Sequence, residues 1–193
     1  MDRTEEVFAA VAKGDGPRLE AILDQDPAAV NARNERGDSL LLAAAYAERR
    51  EIFEILLRRG AGVNLFEAAA LGLGERAQEL LGRDPHLVNA HSHDGWTALH
   101  LASFFGHRDL AALLLDQGAD VNARSRSERF ARDNTPLHAA AANRHVEVAG
   151  LLLERGAEIN AKDGSGFTPL ALAANSRSDL LMLLLLEKGA RAD

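Results

Sequence analysis

The sequence contains no cysteine. That excludes disulfides, a thiol nucleophile and a thiolate metal site, and it suits a reducing, cytoplasmic setting. Aromatic residues are few: one tryptophan, one tyrosine and seven phenylalanines in 193 residues. Long apolar runs are also missing. The longest, Leu180 to Leu186, is far shorter than a bilayer-spanning helix requires, and the acidic start MDRTEEVFAAVAKGD does not read as a secretory signal. Positive charge is in deficit, with a net charge of -7, which argues against nucleic acid or an anionic membrane as a partner. Among the cations arginine far outnumbers lysine, a bias expected of a GC-rich bacterial genome. There is no Gly-rich phosphate loop and no paired-carboxylate pattern for acid–base work, so neither a cofactor nor catalytic residues are expected.

What is abundant is apolar and repetitive. Apolar residues make up 47% of the chain, enough for a large core. The fragment L-x-x-G-A-x-x-N recurs as LLRRGAGVN (56–64), LLDQGADVN (114–122) and LLERGAEIN (152–160), with LLEKGARAD (185–193) a close variant. Two further endings put Pro in place of Gly-Ala: LDQDPAAVN (23–31) and LGRDPHLVN (81–89). Six matching starts precede them. GWTALHLA (95–102), NTPLHAAA (134–141) and GFTPLALA (166–173) are plain, GDSLLLAA (37–44) is weaker, and VFAAVAKG (7–14) and LFEAAALG (65–72) keep only the helical part. Taking Phe8, Leu41, Phe66, Leu99, Leu137 and Leu170 as anchors gives spacings of 33, 25, 33, 38 and 33.

A period of 33 carrying T-P-L-H-x-A is the ankyrin signature, and over nearly its whole length the chain resembles the ankyrin-repeat family. The implied fold is all-α: a solenoid of helix pairs with short β-hairpin fingers, in units of about 2–34, 35–64, 65–91, 92–124, 125–162 and 163–193. The residues agree. Small side chains such as Ala140 and Ala141 follow the anchor at the third and fourth positions, and apolar ones such as Leu110, Leu113 and Leu114 follow at the eleventh, fourteenth and fifteenth. That spacing makes one helical stripe. Helix pairs this short cannot bury their own apolar faces, so neighbours must stack.

Two spacings depart from the period. The 25 before Phe66 removes eight residues after Asn64, so one finger is missing and the third unit starts its helix almost directly. The 38 before Leu137 adds five residues within ARSRSERFARDN (123–134), a longer finger carrying Arg124, Arg126, Arg129, Arg132 and Phe130. The two Asp-Pro endings predict a different helix stop in units one and three. In the last unit, Leu180 and Leu183 stand where other units carry Glu51 and Glu54, Arg76 and Glu79, or Asp109 and Ala112. A terminal repeat normally has a polar outer face, so either these leucines pack end-on against a copy of the chain, giving a homodimer or scaffold, or against another protein, or the native protein continues beyond Asp193.

The resemblance assigns His100 and His138 to backbone and motif-Thr hydrogen bonds rather than to catalysis. His91, His93 and Asp94 form a loop cluster of metal-binding residue types, but without a closed ligand set a solvated loop is favoured. Phe8 and Phe66 are expected in the core as anchors, and Phe53 on a buried stripe. Tyr46, Trp96, Phe104, Phe105 and Phe167 hold slots that in this family face the concave groove and contact the partner, with Arg126, Arg129 and Phe130 beside them on the long finger. Aromatics and Arg dominate interface energetics. The expected function is non-catalytic protein binding, to a partner with an apolar patch and acidic surroundings. The competing expectation is that Trp96, Phe104 or Phe105 folds down to fill the space left by the missing finger.

Overall fold

A computed structural model describes residues 2–127 and 132–191. Its twelve α-helices fall into two compact bodies, residues 1–63 and 64–193. The first holds α1 (Arg3–Lys13), α2 (Gly16–Gln25), α3 (Leu40–Tyr46) and α4 (Arg50–Arg58). The second holds α5 (Leu65–Leu71), α6 (Gly74–Arg83), α7 (Ala98–Phe104), α8 (Arg108–Asp116), α9 (Pro136–Ala142), α10 (Val146–Glu154), α11 (Pro169–Asn175) and α12 (Asp179–Glu187). In the second body the first helices of successive units, α5, α7, α9 and α11, pack in one layer, and α6, α8, α10 and α12 in the other. This is the stacking that short amphipathic pairs require.

The fingers are slighter than β-hairpins. They are tight turns, two of which carry a single antiparallel bridge, Arg33 to Ser39 and His91 to Thr97. The finger missing after Asn64 leaves that residue to cap α5 itself. Its side-chain oxygen accepts from Phe66 N at 2.8 Å and Glu67 N at 3.1 Å, while Glu67 takes the Asn64 amide at 3.0 Å. The reciprocal cap satisfies donors that a preceding hairpin would otherwise cover. Elsewhere the same motif Asn ties its unit to the next: Asn122 accepts from Glu158 N at 2.8 Å, and Asn160 from Arg191 N at 2.9 Å.

The structure corrects the register of units one and three. Val7 and Leu65 are the buried anchors, and Phe8 and Phe66 are only half-buried. The hydrogen bond that closes each first helix shows why. It joins the amide eight residues after the anchor to the carbonyl three after it: Arg49 to Ala44, His107 to Ala102, His145 to Ala140 and Ser178 to Ala173. The bonds from Asp15 to Ala10 and from Leu73 to Ala68 belong to the same series only if Val7 and Leu65 are the anchors. The anchors 7, 41, 65, 99, 137 and 170 then step by 34, 24, 34, 38 and 33. Units one and three are alike in one more respect. Each runs from its second helix into a five-residue 3-10 turn, Pro27–Asn31 and Pro85–Asn89, which is the altered stop the Asp-Pro pairs predict. Phe53 is half-buried as well, since α4 turns Ile52, Ile55 and Leu56 inward.

A second relation runs between neighbouring units. Where the residue closing the first helix is glycine, the next unit lays a long side chain over it. Gly106 has φ 78°, and a Cβ there would lie 2.5 Å from His145 Nδ1. His145 Nε2 in turn bonds the Phe104 carbonyl at 2.8 Å. Gly72 and His107 repeat this against Ala70 O at 3.0 Å, and Gly14 and Arg49 against Ala12 O at 3.4 Å. Where the position is Arg144, the next unit supplies only the small Ser178.

Candidate functional site

Trp96, expected among the docking residues, is instead core: it is 2% exposed and is the largest fully buried side chain. Trp96 directly precedes Thr97, the extended residue that caps α7, and its ring lies against side chains of that helix. Its ring centroid is 5.6 Å from His100 and 5.4 Å from Phe104, the latter edge-on. The series continues outward. Phe104 meets Phe105 edge-on at 4.9 Å, and Phe105 stacks on His107 at 6.4 Å. Phe104 and Phe105 are half-buried. The cluster thus rises from a buried tryptophan to two partly exposed phenylalanines at the C-terminal end of α7. Edge-to-face pairs of this kind contribute roughly 0.5–1.5 kcal/mol beyond burial.

The other expected residues are scattered along the two bodies. Phe167 occupies the same motif slot as Trp96 but is 45% exposed. Its backbone is fixed: the amide donates to Asp163 Oδ1 at 2.9 Å, and the carbonyl takes His138 Nε2 at 3.0 Å. Tyr46 ends α3 in the first body and is half-buried. Arg126 is exposed, with its amide donating to Gly95 O at 2.8 Å. Across from it the carbonyl of Arg132 accepts from Gly164 N at 2.6 Å, so neighbouring fingers are joined by backbone on both sides of the long one. Arg124 is structural: Nη1 donates to Asp133 O at 3.0 Å and Lys162 O at 2.7 Å. Arg129 and Phe130 lie in 128–131, outside the described residues.

The motif histidines do what the resemblance implies. His100 Nε2 is 2.8 Å from Asn134 O, so it carries the proton there, and Nδ1 accepts from the Thr97 hydroxyl at 2.8 Å and the Thr97 amide at 3.3 Å. Thr97 also caps α7. His138 repeats the arrangement with Thr135. Burial pushes His100 down to about 4 and also lowers His138 and His145. A protonated Nδ1 on His100 would face the donors it now accepts from. These are neutral packing groups rather than acid–base catalysts. In the loop that carries metal-binding residue types, His91 Nε2 is 3.1 Å from Arg124 O, and Asp94 accepts from the Ser92 hydroxyl.

The sequence pattern of the family described as ankyrin repeats (3 copies) matches residues 65–163 and 131–193, which together span the second body. The chain belongs to the ankyrin-repeat family. Over 131 residues the ankyrin chain is 35% identical to ankyrin repeat and SAM domain-containing protein 6 of Rattus norvegicus, covering 68% of this chain and 12% of that protein. It is 38% identical over 114 residues to alpha-latrocrustotoxin-Lt1a of Latrodectus tredecimguttatus, or 55% of this chain and 8% of the toxin. A shorter match, 49% over 49 residues, joins it to the serine/threonine-protein kinase VIK of Arabidopsis thaliana, covering 25% of this chain and 11% of the kinase. The chain therefore spans only a small part of these relatives. Ankyrin repeats are in general protein-interaction modules, and no helix among the described residues is long and apolar enough to cross a membrane.

Proposed function

We propose that this ankyrin array binds a partner protein without catalysis, through Phe104, Phe105 and Phe167 with Arg126 at the edge. The observation that carries the reading is the aromatic series on α7, in which a buried tryptophan supports two phenylalanines that stay partly open to solvent. Rigid, partly exposed aromatics have large contact area and little entropy to lose on docking. Trp96 belongs to the support of this surface and not to the surface itself. The exposed guanidinium of Arg126 favours a partner with acidic groups around an apolar patch.

The test is affinity capture from the native lysate with three baits: wild type, Phe167→Ala and Arg126→Glu. The expected result is one protein held by wild type, weakened by Phe167→Ala, and held by Arg126→Glu with reduced salt sensitivity and lower yield. Equal capture by all three baits would remove this surface from the function.

A further inference from the structure

The turns that close the first helices of the second body change in polarity along the array. Counted from each anchor, the sixth and seventh positions are Leu71 and Gly72, Phe105 and Gly106, Asn143 and Arg144, and Ser176 and Arg177. Because α5, α7, α9 and α11 pack in that order, the row of turns runs from apolar to cationic. In a chain of net charge -7, residues 70–73, 104–107, 142–145 and 175–178 hold two arginines and no carboxylate.

The fold does not require arginine there. The seventh position is left-handed in every one of these turns, with φ 70° at Gly72, 78° at Gly106, 63° at Arg144 and 56° at Arg177. Glycine adopts that backbone freely, and a residue with a Cβ is strained in it. In the first body the position takes Glu48 at φ 55°, so it does not select for positive charge. Carbonyls near the helix end are met by other side chains: Asn143 Nδ2 donates to Ala139 O at 3.0 Å, and the Ser176 hydroxyl donates to Ala141 O at 3.2 Å. Arg144 stays exposed although a further unit follows it, and its guanidinium has no hydrogen bond or ion pair among the described residues. Arg177 repeats the residue type and the backbone one unit on. Strain kept together with an unused charge is the mark of a functional position.

We propose that this row binds an extended acidic segment of the partner protein, with an apolar side chain against Phe104 and Phe105 and carboxylates on Arg144 and Arg177. The proposal rests on the reading of the two phenylalanines as a docking surface, and adds the partner's chemistry and register. Packed helices lie roughly 8–10 Å apart, and an extended chain advances about 3.3 Å per residue. The recognised segment therefore places its carboxylates about three and six residues from the apolar side chain. Open guanidinium–carboxylate pairs give specificity and an attraction that salt weakens.

The probe is the blocked peptide Gly-Phe-Ser-Ser-Glu-Ser-Ser-Glu-Gly, made in both chain directions. Each is titrated into the isotope-labelled full chain and followed by NMR. Saturable shifts of the Arg144 and Arg177 Nε–H signals and of the Phe105 amide are expected in at least one direction. Replacing both peptide glutamates by glutamine should weaken binding about tenfold, and Arg144→Gly should weaken it about threefold. Arg144→Gly should also keep or raise the urea midpoint, because glycine suits the backbone. The proposal fails if neither peptide gives saturable shifts, if the glutamine peptide binds as well, or if Arg144→Gly leaves binding unchanged or lowers the midpoint. It also fails if inorganic phosphate at the same concentration moves the arginine signals equally, because the row would then take any anion. Phe105→Ala separates this proposal from the reading beneath it. Glutamate-dependent binding that survives Phe105→Ala overturns the phenylalanine surface, whereas binding that needs Phe105 and ignores the glutamates overturns the arginines alone.

Discussion

At the scale of single residues, Trp96 and Phe105 divide the labour of one aromatic series. Removing the buried indole leaves a cavity under α7 beside His100 and Phe104. Trp96→Ala is expected to cost roughly 3–5 kcal/mol, read as a drop in the urea midpoint at unchanged slope. Phe105→Ala removes a ring that is already partly in water, and should cost about 1 kcal/mol or less. Equal losses for the two would contradict the assignment of one to core and the other to surface. The burial of Trp96 is not legible in helical spacing, because Trp96 precedes the capping Thr97 and lies outside α7. What hides it is the expectation that the slot before the motif Thr is uniformly outward, whereas Trp96 is buried and Phe167 in the same slot is exposed. Phe104, eight positions after Trp96, meets its ring edge-on, and Asn175 stands at the matching place after Phe167.

At the scale of elements, periodicity lays out six helix pairs and the direct start of α5, because the Gly and Asn endings fix where each pair stops. It misplaces units one and three by one residue, since a large Phe outweighs a neighbouring Val or Leu in any apolar pattern. Only the hydrogen bond that closes the helix separates Val7 from Phe8 and Leu65 from Phe66. The finger row is legible in position but not in its joints. Gly95 has φ 83°, and a Cβ there would lie 2.5 Å from the Arg126 carbonyl carbon. Gly95→Ala must both strain this backbone and push the long finger away, so it should destabilise the second body by roughly 1–3 kcal/mol. Hydrogen exchange is the readout: the Arg126 amide, which donates to Gly95 O, should lose protection before the amides of α7 do. Undiminished protection at Arg126 would show that the joint yields without cost. Asn64→Ala, which removes the cap of α5, should cost about 1–2 kcal/mol in the same body.

At the scale of the whole molecule, the buried histidines set a pH limit. In the folded chain His100, His138 and His145 are held neutral, with values below that of an exposed histidine. The unfolded chain therefore binds more protons below about pH 6.5, and stability is complete above that pH and falls as pH drops from it toward 4. For His100, whose folded value is about 4, the loss at the low end is roughly 3 kcal/mol. Denaturation midpoints at pH 7, 5.5 and 4.5 should fall in that order, and a His100→Gln chain should show a shallower fall. The proposed docking surface is drawn from what remains open to solvent after this packing is assigned. The identity of the partner is not written in the fold, because one scaffold serves unrelated partners.

The central claim is the proposal that the half-buried phenylalanines of α7 dock a partner while the tryptophan behind them only supports the fold. The most direct measurement is the amount of partner captured per folded molecule by Phe105→Ala and by Trp96→Phe, each compared with wild type. The account predicts a loss of at least about fivefold for Phe105→Ala, close to 1 kcal/mol of interface energy, with Trp96→Phe near the wild-type level. Full capture by Phe105→Ala, or loss only in the tryptophan variant, would contradict it.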